Sequence, residues 1–267
     1  MKPNKLLLRD SKISKVWQVL LAFFGVSVVL FLWSIFSYSG IIKPFFLPTP
    51  TSVIQAMVKL FQEFGFAYDI GASVYRILLG FGLAVMLSIP FGVAIGINRR
   101  LEVFFEPIIS FIRYIPPSAF VPLFILWFGI GELQKTLLIF VGVVPYLALL
   151  VFDVVANTKR EFVEAAYTLG AKTNNIIFRV ILPYSLPGIW DAMRIMVGAA
   201  WTLVILAEII AATSGLGYLI ITSQRFLKTP NVIAAILVIG MLGLITDFLF
   251  KITYKIFFPW TEKSRYA

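Results

Sequence analysis

Few side chains in this sequence can do chemistry, and the missing types narrow the choice. With no cysteine and no histidine there is no disulfide framework, no usual zinc site and no Cys–His or Ser–His nucleophile pair. Gly215 and Gly217 mark a turn after an apolar run, but the lysine and spacing of a phosphate loop are absent there and elsewhere, so no nucleotide site is read in the chain. What remains is a scatter of costly polar groups inside apolar runs. Arg113 lies one turn before Pro116 and Pro117. An intramembrane arginine beside a broken helix, whose dipole adds to its charge, suits an anion. A structural kink with a snorkelling arginine explains the same residues. Trp201 and Thr202 sit deep in another run and Glu208 near its outer end, either lining a path or joining helices. Asp191 and Arg194, three apart, suit a local ion pair. Such groups fit the passage of a solute better than catalysis.

One polar stretch between two long apolar ones has to stand in water. In Glu161–Gly170, the residues Phe162, Ala165, Ala166 and Leu169 fall at i, i+3, i+4 and i+7, an apolar helical stripe, with Glu161, Glu164 and Thr168 on the other side. Gly170 is placed to end that helix. A second short helix follows, with Thr173 or Asn174 as N-cap, Ile176, Ile177, Val180 and Ile181 as its apolar side, and Pro183 as its stop. Two amphipathic helices joined by a glycine turn form a docking element for a soluble partner.

The elements that would position these residues are membrane helices. The chain of 267 residues is 60% hydrophobic and 13% charged, roughly half the charged fraction of a soluble domain. Apolar runs long enough to cross the hydrocarbon core cover residues 16–37, 71–97, 104–128, 133–156, 186–211 and 232–256. The expectation is an all-α polytopic membrane protein, one domain over 1–267, with six transmembrane helices and a polar loop at 157–184. The first run is too long for a signal peptide, with Trp17 and Trp33 as interfacial anchors. Six spans put both termini on one side. That side carries fifteen lysines and arginines (the basic segment 1–15, the 98–103 turn, the 157–184 loop and the C-terminus), against five at Lys43, Lys59, Lys135, Arg225 and Lys228. The positive-inside rule then makes both termini and the loop cytoplasmic. This dispersal also accounts for the net charge of +10 without nucleic acid as a partner. Residues 50–63, with Val53, Met57, Leu60, Phe61 and Phe64 on one side, read as an interfacial helix on the outer surface. Gly80, Ala84, Ser88, Gly92 and Gly96 recur at four-residue intervals, a groove for close approach of another helix.

Within the polar loop the pattern Glu164-Ala-Ala166, three residues, Gly170, nine residues, Val180, one residue, Leu182-Pro183 resembles the EAA loop of ABC importer permeases, with Val180 in place of the usual isoleucine. Leu47-Pro-Thr-Pro50, Arg76-Ile-Leu-Leu-Gly-Phe-Gly82, Ile115-Pro-Pro117, Leu126-Trp-Phe-Gly-Ile-Gly-Glu132 and Ala207-Glu-Ile209 with Gly215-Leu-Gly-Tyr-Leu219 look like the nitrate, sulfonate, taurine and bicarbonate branch of that family. The resemblance implies a type I ABC importer permease fold in a bacterial inner membrane. It also implies that Glu161, Glu164, Ala165, Ala166, Leu169, Gly170 and Pro183 belong to coupling helices that dock on an ABC ATPase subunit. The chain itself would then hold no cofactor, ATP-Mg being bound by the partner. Further implied partners are an extracytoplasmic substrate-binding protein and a second copy of the chain. The implied mechanism is alternating access, with Arg113, Pro116, Trp201, Thr202 and Glu208 as candidates for the translocation path. Arg113 favours a small oxyanion or organosulfonate as substrate.

Two rivals make different demands. An ion-coupled secondary transporter calls for internal repeats and mid-span acidic residues; no repeat is evident, and Asp153 and Glu208 lie near span ends. A membrane-embedded enzyme needs polar catalytic groups gathered at one depth, and without His or Cys the candidates are sparse.

Overall fold

The structure, a computed structural model, describes residues 14–261. Lys2, Lys5, Arg9, Lys12, Lys263 and Arg265, which contributed to the charge count, lie outside the described residues. All regular elements among the described residues are helical, as apolar runs demand when every backbone group must be satisfied within its own segment.

Helix α1 (Lys15–Tyr38) starts at Ser14, whose hydroxyl accepts from the Trp17 N–H at 3.4 Å. Its apolar side chains are exposed on nearly all sides. Its far end is pinned, with the Trp33 indole donating to the Pro48 carbonyl at 3.0 Å and Tyr38 bonded to Thr51 at 2.8 Å. Helix α2 (Pro50–Glu63) is capped by Thr49 and opens on Pro50, a residue that loses nothing in a first turn. It buries Val53, Ala56 and Leu60. Phe61 and Phe64, expected on that face, are half-exposed, and the small Ala56 is buried there instead.

Helix α3 (Phe66–Ile97) and helix α6 (Glu132–Ala156) form the centre. The four-residue stripe of small side chains does what its spacing promised. A Cβ on Gly80 would stand 2.7 Å from Ile139, one on Gly92 2.6 Å from the Ala148 carbonyl, and one on Gly96 2.7 Å from Val155. Ser88 in the same stripe donates to the Val144 carbonyl at 3.2 Å. These contacts climb together along both helices, so α3 and α6 run parallel. The chain between them must therefore cross back. That return is made by α4 (Arg99–Arg113), a 3-10 turn at Pro117–Phe120 and α5 (Val121–Phe128), with an 82° bend between the two halves. The third span is thus broken near its middle as expected, but its first half begins at Arg99, five residues before the apolar run.

Helix α7 (Arg160–Thr168) and the short α8 (Thr173–Ile176) carry the polar loop. A π-helical turn at Ile177–Ile181 joins α8 without interruption to α9 (Leu182–Ala211). Two expectations fail here. Pro183 does not stop the helix, and the fifth span does not begin at residue 186, because Pro183 and Pro187 both lie inside one continuous helix. A proline in a helix crowds the carbonyl four residues before it, and the π turn sits where that carbonyl, on Arg179, falls. The N-cap position of α8 is Lys172, without a side-chain cap, rather than Thr173 or Asn174. Helix α10 (Leu216–Arg225) turns back beside α9, and α11 (Thr229–Phe257) completes the bundle. The Gly142–Leu203 and Gly188–Val154 approaches make α9 antiparallel to α6, and the Trp201–Thr246 and Trp190–Phe257 contacts make α11 antiparallel to α9. Among the described residues, five helices are long and apolar enough to cross a membrane, and the bent α4–α5 pair makes a sixth where it is counted as one span. The end of α11 lies beside the start of α9 and hence at the end of the bundle that carries the α7–α8 loop, and α2 lies beside the start of α11 at the other end.

Candidate functional site

The loop between α6 and α9 is closed at its base by Thr158 and Ser185, whose hydroxyls lie 3.3 Å apart. Glu161 occupies the first turn of α7, where a carboxylate favours the helix dipole. The helix ends at Gly170 with φ 77°, and the Ala171 N–H returns to the Ala166 carbonyl at 3.0 Å, the closing bond of a left-handed glycine terminus. No residue of α7 is buried. Leu169 is 88% exposed, and Glu164, Ala165 and Gly170 are exposed with it. Only Phe162 of the expected stripe finds an aromatic neighbour, Tyr184, edge-on at 5.4 Å. The loop therefore presents apolar and acidic residues together at the end of a helix that runs 38 residues into the bundle, a length of about 57 Å.

The break between α4 and α5 holds a second group of expected residues. Arg113 is half-buried, with its guanidinium 4.9 Å over the Tyr114 ring and its carbonyl accepting from the Tyr146 hydroxyl at 2.7 Å. Its Nε is buried and has no hydrogen-bond partner. Together with Pro117, Phe120, Gly142 and Tyr146 it lines a small cavity at the bend. Pro116 is exposed beside it. A Cβ on Gly142 would meet Leu203 at 2.6 Å and Pro117 at 3.2 Å, so Thr202, exposed and next to Leu203, comes to the same level of the bundle. Arg113 and Pro116 share the break, and Thr202 lies at the same level of the bundle. Trp201 is turned away from it. Its side chain is 5% exposed and its indole donates to Thr246 of α11 at 3.3 Å.

Glu208 belongs to a cluster that sequence reasoning did not assemble. Arg76 of α3 is 1% exposed and Glu208 of α9 is fully buried. Arg76 Nη1 donates to Glu208 Oε1 at 2.7 Å and to the Ser214 carbonyl at 2.8 Å, while Nε and Nη2 take both oxygens of Glu132 at 2.7 Å. Lys135, buried one turn into α6, reaches Glu132 at 2.9 Å. Glu208 is held further by Ser73 Oγ at 2.8 Å and by the Gly217 N–H at 2.8 Å. Asp69 accepts from the Gly215 N–H at 2.7 Å, and Ser73 accepts from the Leu216 N–H at 3.0 Å. Gly215 has φ 112°, and a Cβ there would drive into the Glu208 carboxylate and lie 2.6 Å from Arg76 Nη1. The α9–α10 turn is thus folded around the ion pair. One signal was available in the sequence. Arg76, Glu132 and Glu208 are charges in or beside three different spans, and charges in lipid must find one another.

In the first half of α9, Arg194 donates to Asp247 of α11 at 2.5 Å, and Lys251 joins the same carboxylate at 2.8 Å. The three-residue spacing of Asp191 and Arg194 did not point to this partner.

The family described as "binding-protein-dependent transport system inner membrane component" matches residues 88–263. The chain is similar to the taurine transport system permease protein TauC of Escherichia coli (strain K12), with 34% identity over 91% of this chain and 90% of the relative. It is also similar to the putative aliphatic sulfonates transport permease protein SsuC of Bacillus subtilis (strain 168), with 30% identity over 88% of this chain and 85% of the relative. Among solved structures it resembles a chain of the MetNI methionine ABC transporter in an inward-facing conformation. That match has a TM-score of 0.64 at 18% identity and covers 72% of this chain and 95% of that one.

Proposed function

The chain belongs to the family of binding-protein-dependent transport inner membrane components, in the nitrate, sulfonate, taurine and bicarbonate branch of ABC importer permeases, and on that premise we propose that it imports an organosulfonate or a similarly small anion. The exposed α7–Gly170–α8 element, continuous with α9, carries this reading. ATP-Mg is bound and hydrolysed on a separate ATPase subunit, and Glu161, Glu164, Ala165, Ala166, Leu169 and Gly170 form the surface that docks on it, with Pro183 inside the helix behind. The α8 turn, the π turn and α9 run on as one helix, so displacement of the docked loop is delivered to the far end of α9. The assembly contains two copies of the chain and receives substrate from an extracytoplasmic binding protein. Both termini are cytoplasmic, the side that carries the larger share of Lys and Arg. Arg113 and Pro116 at the α4–α5 break, with Thr202 at the same level, line the path for the anion.

The experiment is purification of the full chain from its native membranes in mild detergent, followed by reconstitution of the recovered complex. Co-recovery of an ATPase subunit, its loss in Gly170→Pro and Glu164→Lys, and ATP-dependent uptake of taurine or an alkanesulfonate are expected. Solute movement by the chain alone, without ATP, would sink the docking reading in favour of a secondary transporter.

A further inference from the structure

The inner half of the seam between α9 and α11 has a use that transport does not explain. Arg194, Lys251 and Lys255 converge there with Asp191 on a pocket whose floor is Phe248 and Tyr254. Asp247 sits between Arg194 and Lys251 and orients both. Lys255, one turn beyond Lys251, has no ion-pair partner among the described residues. Arg194 and Lys251 share the single Asp247 carboxylate, so the three cations exceed the carboxylate they turn to and suit an anionic headgroup.

The surroundings set the depth. Trp190 donates to the Phe250 carbonyl at 3.1 Å and packs on Phe250, Phe257 and Phe258, and Tyr254 stacks edge-on against Phe258. A cluster of Trp and Tyr at a span end marks the headgroup level of a bilayer. Toward the bilayer centre, α3, α9 and α11 enclose a second groove of about 440 Å³, lined by Ile77, Phe81, Val197, Trp201, Ile245 and Leu249 among others. The polar groups along it are spent: the Thr246 hydroxyl donates to the Gly243 carbonyl at 2.8 Å and accepts from the Trp201 indole. Water would find nothing to bond there, whereas a hydrocarbon chain would fill it. The two spaces meet at Phe250, which lines both, and Arg194, Val197 and Trp201 fall at i, i+3 and i+7 on one face of α9.

We propose that this pocket and groove together bind one anionic phospholipid, its phosphate on Arg194, Lys251 and Lys255 and one acyl chain along Val197 and Trp201. Basic pockets between transmembrane helices at headgroup depth are the usual seats of anionic headgroups. A helix from a second copy would fill the groove but leave the cations without a counter-charge; a lipid meets both demands in one molecule. The site is independent of what the chain transports.

The test uses the full chain in detergent, titrated with phosphatidylglycerol and with phosphatidylcholine of identical acyl chains and read by native mass spectrometry. Phosphatidylglycerol should bind more tightly, and Lys251→Gln or Lys255→Gln should each weaken it about fivefold, roughly the worth of one basic residue near an anionic surface, while leaving phosphatidylcholine unchanged. Phosphatidylglycerol with brominated chains should quench a fluorescence component that is missing in Trp201→Phe. Equal affinity for the two lipids, or lysine variants that bind as the parent does, overturns the headgroup assignment. Quenching that is the same in Trp201→Phe puts the chain outside the groove and overturns the site. Dimers that take up no lipid and dissociate in Ile245→Arg would give the groove to a second copy instead.

Discussion

Arg76→Met should be the most destabilising single change in the outer half of the bundle. Methionine keeps the length and apolar stem of the side chain, so the packing of α3 is spared and the loss is electrostatic. Five hydrogen bonds disappear, to Glu132, Glu208 and Ser214, and the fully buried Glu208 loses its cation. Breaking a buried pair from one side costs about 3–5 kcal/mol, and the value here belongs at the upper end because the α9–α10 turn is built on the same arginine. Glu132 contributes far less. Its side chain is 51% exposed, and Glu132→Gln should cost about 1 kcal/mol or less after solvent screening. Glu208→Gln retains an oxygen for the Gly217 N–H. The double variant Arg76→Met/Glu208→Gln should therefore recover about 1–3 kcal/mol relative to Arg76→Met alone, the coupling expected of direct partners. The assay is reversible unfolding in mixed dodecylmaltoside–SDS micelles, followed by circular dichroism. Two results refute the reasoning: Arg76→Met unfolding together with the parent, or energies in the double variant that simply add.

Gly92→Ala should lower stability by about 1–3 kcal/mol, since its Cβ would stand 2.6 Å from the backbone oxygen of Ala148, whereas Gly82→Ala, with nothing within 4 Å, should be neutral; retention of a monodisperse gel-filtration peak after heating distinguishes them. At Gly170, φ 77° penalises a branched side chain by about 1–2 kcal/mol, so Gly170→Val should impair recovery of an ATPase subunit in pull-down while Gly170→Asn, at home in that conformation, retains it. Gln134 is buried with both amide atoms unpartnered, and Gln134→Met should raise the midpoint of unfolding by removing a desolvated polar group worth about 1–3 kcal/mol; a lowered midpoint would show that the amide has a partner in the membrane.

The legible and the illegible parts of this fold divide along physical lines. Spans and close helix approaches were legible, because hydrocarbon thickness dictates length and a four-residue stripe such as Gly80–Gly96 admits only a near neighbour. The polar loop was legible as helix, glycine, helix, since a left-handed terminus at Gly170 is a local requirement. Its exit was not, because a proline rule assumes α geometry and the π turn at Ile177–Ile181 lets the chain pass Pro183 unbroken. The cluster around Arg76 was missed for a different reason. Ser73, Arg76, Glu132, Lys135, Glu208 and Gly215 come from four segments, and no periodicity links them. Only the demand that each buried charge be answered does so, and that demand acts on the assembled bundle rather than on any helix within it. The same demand separates Glu208 from Arg113. The glutamate has every oxygen engaged, whereas the arginine, at the level of Pro116 and Thr202, keeps an unpartnered Nε beside the broken span.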